Sequence, residues 1–177
     1  DVTVSYMRRL GREAPPGTKW SYKTGETNLI GVLVSSATKK NLSDYLSEKI
    51  WQPFGMELDA SWMLGPTGHE ISGCCIQAST RDYARFGLFI LGGGIAKGKP
   101  VLPDGWIAEA TTTWADTNRP EYGYGYQWWT LKDGSYAARG IFGQGIFIDP
   151  KRKLVIASNG NWPYASDRQG GDQDKKR

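Results

Sequence analysis

The side chains able to do hydrolytic chemistry are few, and their spacing narrows the choice. His69 is the only histidine, so any Ser-His-Asp triad has to use it. It lies in Gly65-Pro66-Thr67-Gly68-His69-Glu70, a loop composition, and no G-x-S-x-G nucleophile elbow occurs in the chain. A histidine-based triad is therefore not expected. Serine can also be activated by lysine: in S-x-x-K one helical turn places the amine beside the hydroxyl. The one such run is Ser36-Ala37-Thr38-Lys39. It falls at the C-terminal end of a predicted helix. A nucleophile of this kind needs the opposite end, where free N–H groups can hold an oxyanion. Ser36 reads as part of a polar helix exit.

Two further motifs lose their chemistry on inspection. Gly93 to Lys99 matches G-x-x-x-x-G-K, but Pro100 stands where a phosphate loop needs Ser or Thr, and the run follows a helix rather than a strand. Cys74 and Cys75 are neighbours. With one histidine in the chain they cannot build a zinc site, so no metal and no cofactor is expected. Their expected role is small buried filling, and a disulfide between neighbours is not expected.

The elements around these residues follow from periodicity. Val2 to Arg12 reads as a helix broken by Pro15-Pro16-Gly17. Leu29, Ile30, Leu33, Val34 and Ala37 predict a helix over 27–38, with Gly31 on it, which costs about 1 kcal/mol against Ala and implies close backbone packing. Asn41 is a natural N-cap for a helix over 42–52 that Pro53 and Gly55 end. Residues 56–78 read as loop, with Trp62 and Met63 as anchors. Ser79 and Asp82 form a near capping box for a helix bearing Tyr83, Phe86, Phe89, Ile90 and Leu91. A short helix follows Pro103. The period then changes: 122–129 and 137–142 read as strands, and 145–148 with 154–158 flank Asp149-Pro150-Lys151-Arg152-Lys153 as a hairpin. Helices first and antiparallel strands after predict an α+β fold.

Three stretches carry a resemblance. Trp20-Ser-Tyr-Lys-Thr-Gly-Glu-Thr-Asn-Leu-Ile-Gly31 resembles the tyrosine motif of the β-lactamase-related serine hydrolases, in which Tyr-x-Asn or Tyr-x-Ser opens a helix and a glycine falls nine residues after the tyrosine. Tyr22 and Gly31 match that spacing, and Thr24 takes the Asn position. Asn41 to Met56 and Ala78 to Gly87 are similar to the family's following helical segments. Ala138-Arg-Gly-Ile-Phe-Gly-Gln144 resembles the strand that carries K-T-G or H-x-G in other members.

The resemblance implies a partial serine β-lactamase/penicillin-binding-protein-like fold over residues 1–168, with 169–177 a mobile polar tail. It implies that the family's early strands and S-x-x-K helix belong upstream, and a closing helix downstream. The reaction implied is hydrolysis of an amide or ester through an acyl-serine. In it Tyr22 acts as general base and acid partner, and the Ile141 N–H as backbone oxyanion donor. Thr24, Gly140, Phe142, Gly143 and Gln144 would line the substrate. Ala138 replaces the usual Lys or His, which points away from penicillin hydrolysis, and the Gly140-to-Gln144 run most resembles that of members acting on linear amides and esters. The implied partners are a small-molecule amide or ester and the N-terminal segment of the same protein. A second class, a non-catalytic binding module that keeps the groove, also fits.

Composition excludes other classes. The chain has 177 residues, 39% hydrophobic and 23% charged, ordinary for a globular protein. The net charge of +4 is scattered, with no basic run before Lys175-Lys176-Arg177, so no nucleic-acid surface is expected. No apolar run approaches the ~18 residues of a membrane span.

Overall fold

The computed structural model describes residues 2–117 and 119–165, and the chain divides into two compact units, Asp1–Ala78 and Ser79–Arg177. The predicted tail 169–177 lies outside the described residues. Helices dominate the first unit and antiparallel strands the second, the α+β layout expected from the change of period.

The first unit holds α1 (Val2–Met7), α2 (Thr24–Thr38), α3 (Leu42–Leu46), α4 (Gln52–Phe54) and a hairpin of β1 (Ser61–Trp62) and β2 (Ile76–Gln77). α1 stops short of the predicted Arg12. None of its residues is buried, so packing adds little to the propensity of so short a helix. α2 begins at Thr24 rather than Thr27, because Lys23 is extended and its carbonyl already accepts the Glu26 and Thr27 N–H groups.

The predicted helix over 42–52 is interrupted. A π turn, Ser47–Trp51, separates α3 from α4, and Pro53 lies inside α4 instead of ending the helix. The widened turn accommodates a residue that has no N–H and a ring that crowds the preceding turn. Gly55, at φ 82°, ends the run. Asn41 occupies the N-cap of α3, but its side chain makes no capping bond. Glu70 caps the helix from the hairpin: Ser43 donates to its Oε1 from the backbone N–H at 3.0 Å and from the hydroxyl at 2.5 Å.

Residues 56–78 are more ordered than a loop. β1 and β2 pair antiparallel, and Leu64 bridges Glu70. Trp62 is the anchor expected, its indole N–H held by the carbonyls of Ile71 and Cys74 at 3.0 Å each. Met63 is not an anchor: it is half exposed.

The second unit holds α5 (Thr80–Leu91), a hairpin of β3 (Ile95–Ala96) and β4 (Lys99–Pro100), and α6 (Trp106–Ala110). Six strands follow: β5 (Ala115–Asp116), β6 (Tyr122–Tyr124), β7 (Trp129–Leu131), β8 (Tyr136–Arg139), β9 (Gly145–Asp149) and β10 (Leu154–Ser158). Those six form one antiparallel meander in the order β10-β9-β8-β7-β6-β5. The capping box of α5 is present: Ser79 Oγ accepts the Asp82 N–H at 3.0 Å, and the buried Asp82 carboxylate meets the Arg85 guanidinium at 3.1 Å. Gly87 lets α5 lie on β9 and β10, since a Cβ there would stand 2.5 Å from Val155 Cγ1 and 2.9 Å from Ile146 Cγ2. Val155, Ile148, Tyr136 and Thr130 are successive cross-strand partners and so share one face. Phe89 and Ile148 are fully buried, each worth about 1.5–3 kcal/mol.

Two expected strands are shorter than the pattern suggested. The aromatic run 122–129 is not one strand but β6, a turn and the start of β7. Gly125 lies against the Ala110 carbonyl, Tyr126 donates to it at 2.8 Å, and Gln127 takes φ 64°. The strand expected over 137–142 ends at Arg139. The G-x-x-x-x-G-K run ends α5 and then forms the β3–β4 turn through Lys97 and Gly98, both at positive φ. It is no phosphate loop.

Candidate functional site

The expected site residues fall into two groups, Tyr22 and Thr24 in the first unit and Gly140 to Gln144 in the second. Tyr22 stands two residues ahead of α2 and is 54% exposed, so its ring reaches solvent. Lys23 is the N-cap position, and its ammonium pairs with Glu13 and, at 3.8 Å, with Glu26. Glu13 also takes Lys19; hydrogen bonds from Lys19 and then Lys23 lower its carboxyl to about 2. The cation next to Tyr22 in sequence is thus already matched by carboxylates.

The first turns of α2 are held from one side. Asn28 is buried; its Oδ1 accepts the Ser72 N–H at 2.9 Å, and its backbone carbonyl accepts the Ser72 hydroxyl at 3.0 Å. Gly31 lies one turn on, where a Cβ would overlap the Ser72 side chain and stand 3.0 Å from Leu42 Cδ1. The glycine nine residues after Tyr22 is thus the place where the 71–75 loop crosses the helix. Gly73 meets Thr24 as closely: a Cβ there would lie 2.7 Å from Thr24 Cγ2 and 2.8 Å from its carbonyl oxygen.

In the second unit Gly140 to Gln144 form the turn between β8 and β9. Its amide groups are mostly occupied. Gly140 donates to the Gln144 carbonyl at 2.8 Å, Phe142 to the Gln144 side-chain Oε1 at 3.0 Å, and Gly143 to the Gly140 carbonyl at 3.4 Å. The Gln144 side chain folds back over Gly140, where a Cβ would overlap its carboxamide. The Ile141 N–H has no acceptor among the described residues. Ile141 and Phe142 are both exposed, at 60% and 42%. The Ile141 N–H thus belongs to a turn with two exposed apolar side chains, an arrangement able to receive a carbonyl oxygen.

Several residues that the motifs did not mark support this turn. Trp162 donates its backbone N–H to the Phe142 carbonyl at 3.0 Å, and its indole lies where a side chain on Gly143 would be, 2.6 Å from the Cβ position. Gly143 has φ +90° as well, so both space and backbone require glycine. Ser158 donates to the Gly143 carbonyl at 3.0 Å. Arg139, just ahead of the turn, lays its guanidinium 4.5 Å from the Tyr122 ring centre and 5.9 Å from that of Trp129. No local spacing signals these contacts, which are made across strands.

His69 is exposed in the hairpin loop, with its carbonyl accepting the Gly65 N–H. Ser36 lies exposed in the last turn of α2. Cys74 and Cys75 correct an expectation. They form a disulfide with each other, Cys74 is exposed and Cys75 half-buried, so they are not buried filling. The hairpin brings the two sulfurs together with Cys75 at φ +80°. Among the described residues no group of three or more His, Cys, Asp or Glu is placed to hold a metal, and no helix is long and apolar enough to cross a membrane.

Comparison with known proteins bears on the family and the fold. The beta-lactamase family profile matches residues 1–176. A 6-aminohexanoate-dimer hydrolase of Paenarthrobacter ureafaciens is 29% identical over 172 residues, covering 91% of this chain and 44% of that protein. A solved structure from Bacillus anthracis, provisionally named a 6-aminohexanoate-dimer hydrolase, superposes with a TM-score of 0.79 at 30% identity, over 93% of this chain and 43% of the other. A family VIII carboxylesterase superposes with a TM-score of 0.66 at 15% identity, over 84% and 55%, a likeness of fold. The chain spans less than half the length of the first two. With that profile match over nearly every residue, on an α+β fold shared with these hydrolases, the chain belongs to the beta-lactamase family.

Proposed function

We propose that this chain is part of a hydrolase that cleaves linear amide or ester bonds through an acyl-serine. The observation that carries the reading is the Ile141 N–H, left without an acceptor in a turn whose neighbouring amides are occupied. A tetrahedral intermediate places negative charge on the former carbonyl oxygen, and a pre-aimed N–H stabilises it without reorganising. The serine and its lysine come from polypeptide outside these 177 residues. Tyr22 relays the serine proton to the leaving group, with the lysine of that outside segment as its partner. Thr24, Gly140, Phe142, Gly143 and Gln144 line the acyl chain. Ala138 stands where other members carry Lys or His, which supports a linear amide or ester over a penicillin. The relatives named for an amide dimer and for carboxyl esters support the same choice.

The test uses the protein that carries an upstream Ser-x-x-Lys segment. It should hydrolyse p-nitrophenyl esters and a linear aminohexanoate amide, and do so faster than a chromogenic cephalosporin. A fluorophosphonate should label it at one serine upstream of Asp1 and leave Ser36 unmodified. No turnover and no labelling would favour the non-catalytic binding module. Labelling at Ser36 would overturn the assignment of the nucleophile.

A further inference from the structure

The Cys74–Cys75 disulfide sits in a loop whose contacts give the bond a consequence. The β1–β2 hairpin bulges between Ile71 and Cys75. Trp62 ties the neck through its indole N–H to the carbonyls of Ile71 and Cys74. The Met63 N–H donates to the Cys75 carbonyl at 3.1 Å, and the Cys74 N–H to the Ile71 carbonyl at 3.2 Å. The tip of the bulge, Ser72 and Gly73, rests on α2 through Asn28, Gly31 and Thr24. The disulfide closes a small ring through the Cys74–Cys75 peptide on the strand that leads back from that tip. Cys75 lies at φ +80°, a region L-residues seldom adopt, and the covalent ring limits its escape. Cys74 is exposed, so a thiol in solution can reach the bond.

We propose that Cys74–Cys75 is a thiol–disulfide exchange site whose redox state sets how firmly the 71–75 loop holds the first turns of α2. The co-reactant is a small dithiol. Its thiolate attacks one cysteine sulfur, the Cys74–Cys75 bond breaks, and the displaced cysteine leaves as thiolate and takes a proton from water. The second thiol of the reductant then attacks the mixed disulfide and releases the other cysteine. The reductant ends as its own disulfide and the protein as a dithiol, a transfer of two electrons and two protons. Opening the ring releases the Cys75 backbone, and the hold of Ser72 and Gly73 on Asn28 and Thr24 weakens with it. Tyr22 lies two residues from Thr24, so the exchange acts on the segment that carries it. The proposal stands on the loop geometry alone and does not depend on the hydrolytic reading.

The test uses the 177-residue chain under native conditions, first equilibrated with oxidised glutathione. Alkylation with N-ethylmaleimide followed by intact mass should add nothing before dithiothreitol and two adducts after it. Amide hydrogen exchange should then rise at least about threefold in peptides covering 24–31 and 71–77. Peptides covering 136–158 should not change, and reoxidation should restore the slow exchange. The Cys74→Ser/Cys75→Ser double variant should exchange like the reduced protein. Should it fail to fold, the wild-type comparison decides alone. Two adducts before reduction, a disulfide-linked dimer on a non-reducing gel, or unchanged exchange at 24–31 would each overturn the proposal.

Discussion

Gly31 of α2 lies so close to Ser72 that no side chain fits between them, and the same serine hydrogen-bonds Asn28 one turn earlier. The hairpin loop is therefore keyed to the helix that follows Tyr22. Gly31→Ala would ordinarily favour a helix by about 1 kcal/mol. Here the new methyl has to displace the Ser72 side chain or the loop. The expected result is a net destabilisation of about 1–3 kcal/mol, the usual range for overpacking, read from urea unfolding. Ser72→Gly in the same protein should recover part of it. A stabilised Gly31→Ala variant would contradict the packing.

Glu70 caps α3 from the loop between β1 and β2, and its carboxyl is nearly buried. Burial pushes its pKa up, but the bonds from the Ser43 hydroxyl and N–H outweigh this, so the net shift is downward from 4.5. A group lowered on folding stabilises the native state above its unfolded pKa and loses that contribution as pH falls through its folded value. Stability should therefore drop as pH falls below about 4.5, and Glu70→Gln should flatten part of that drop. At neutral pH Glu70→Gln should cost about 1.5–3 kcal/mol, the worth of hydrogen bonds to a charged group. Thermal unfolding of both proteins between pH 7 and pH 3 measures the difference.

Tyr22→Phe keeps the ring and removes only the hydroxyl. In the protein that carries the nucleophile segment, kcat on an ester or linear amide should fall by about 10²–10⁴, the usual range for lost acid–base assistance, with the melting temperature unchanged. Near-normal turnover would reduce Tyr22 to a packing residue.

Gln144 occupies the Phe142 N–H and covers Gly140, on either side of the Ile141 N–H in sequence. Gln144→Ala removes the side-chain acceptor and lets the turn relax. The expected loss is roughly 10–100-fold in kcat, the scale of a small misplacement of a reacting group, with KM little changed. Gln144→Glu restores an acceptor for Phe142 and should recover activity relative to Ala. Equal losses in both variants would mean that the carboxamide acts through its contact with the acyl chain and not through its hold on the turn.

The fold class and most elements could be read from this sequence because their signals are local. Ser79 with Asp82 announces a cap, Gly55 a stop, and Asp149 to Lys153 a reversal between two apolar strands, and each appears where the pattern puts it. The Tyr22-to-Gly31 spacing and the Gly140–Gln144 run were also visible as residues. Tertiary structure decided what those residues touch. The pattern could not show that Glu70 would cap α3 in place of Asn41, because that acceptor comes from 27 residues away. Nor could it split the aromatic run at 125–128, where a turn is imposed by the Ala110 carbonyl of α6. Trp162 over Gly143, Arg139 over Tyr122, and the joined Cys74 and Cys75 follow the same rule. Backbone propensity and periodicity act within a few residues, while burial, close approach and bond formation depend on which distant atoms the folded chain brings together.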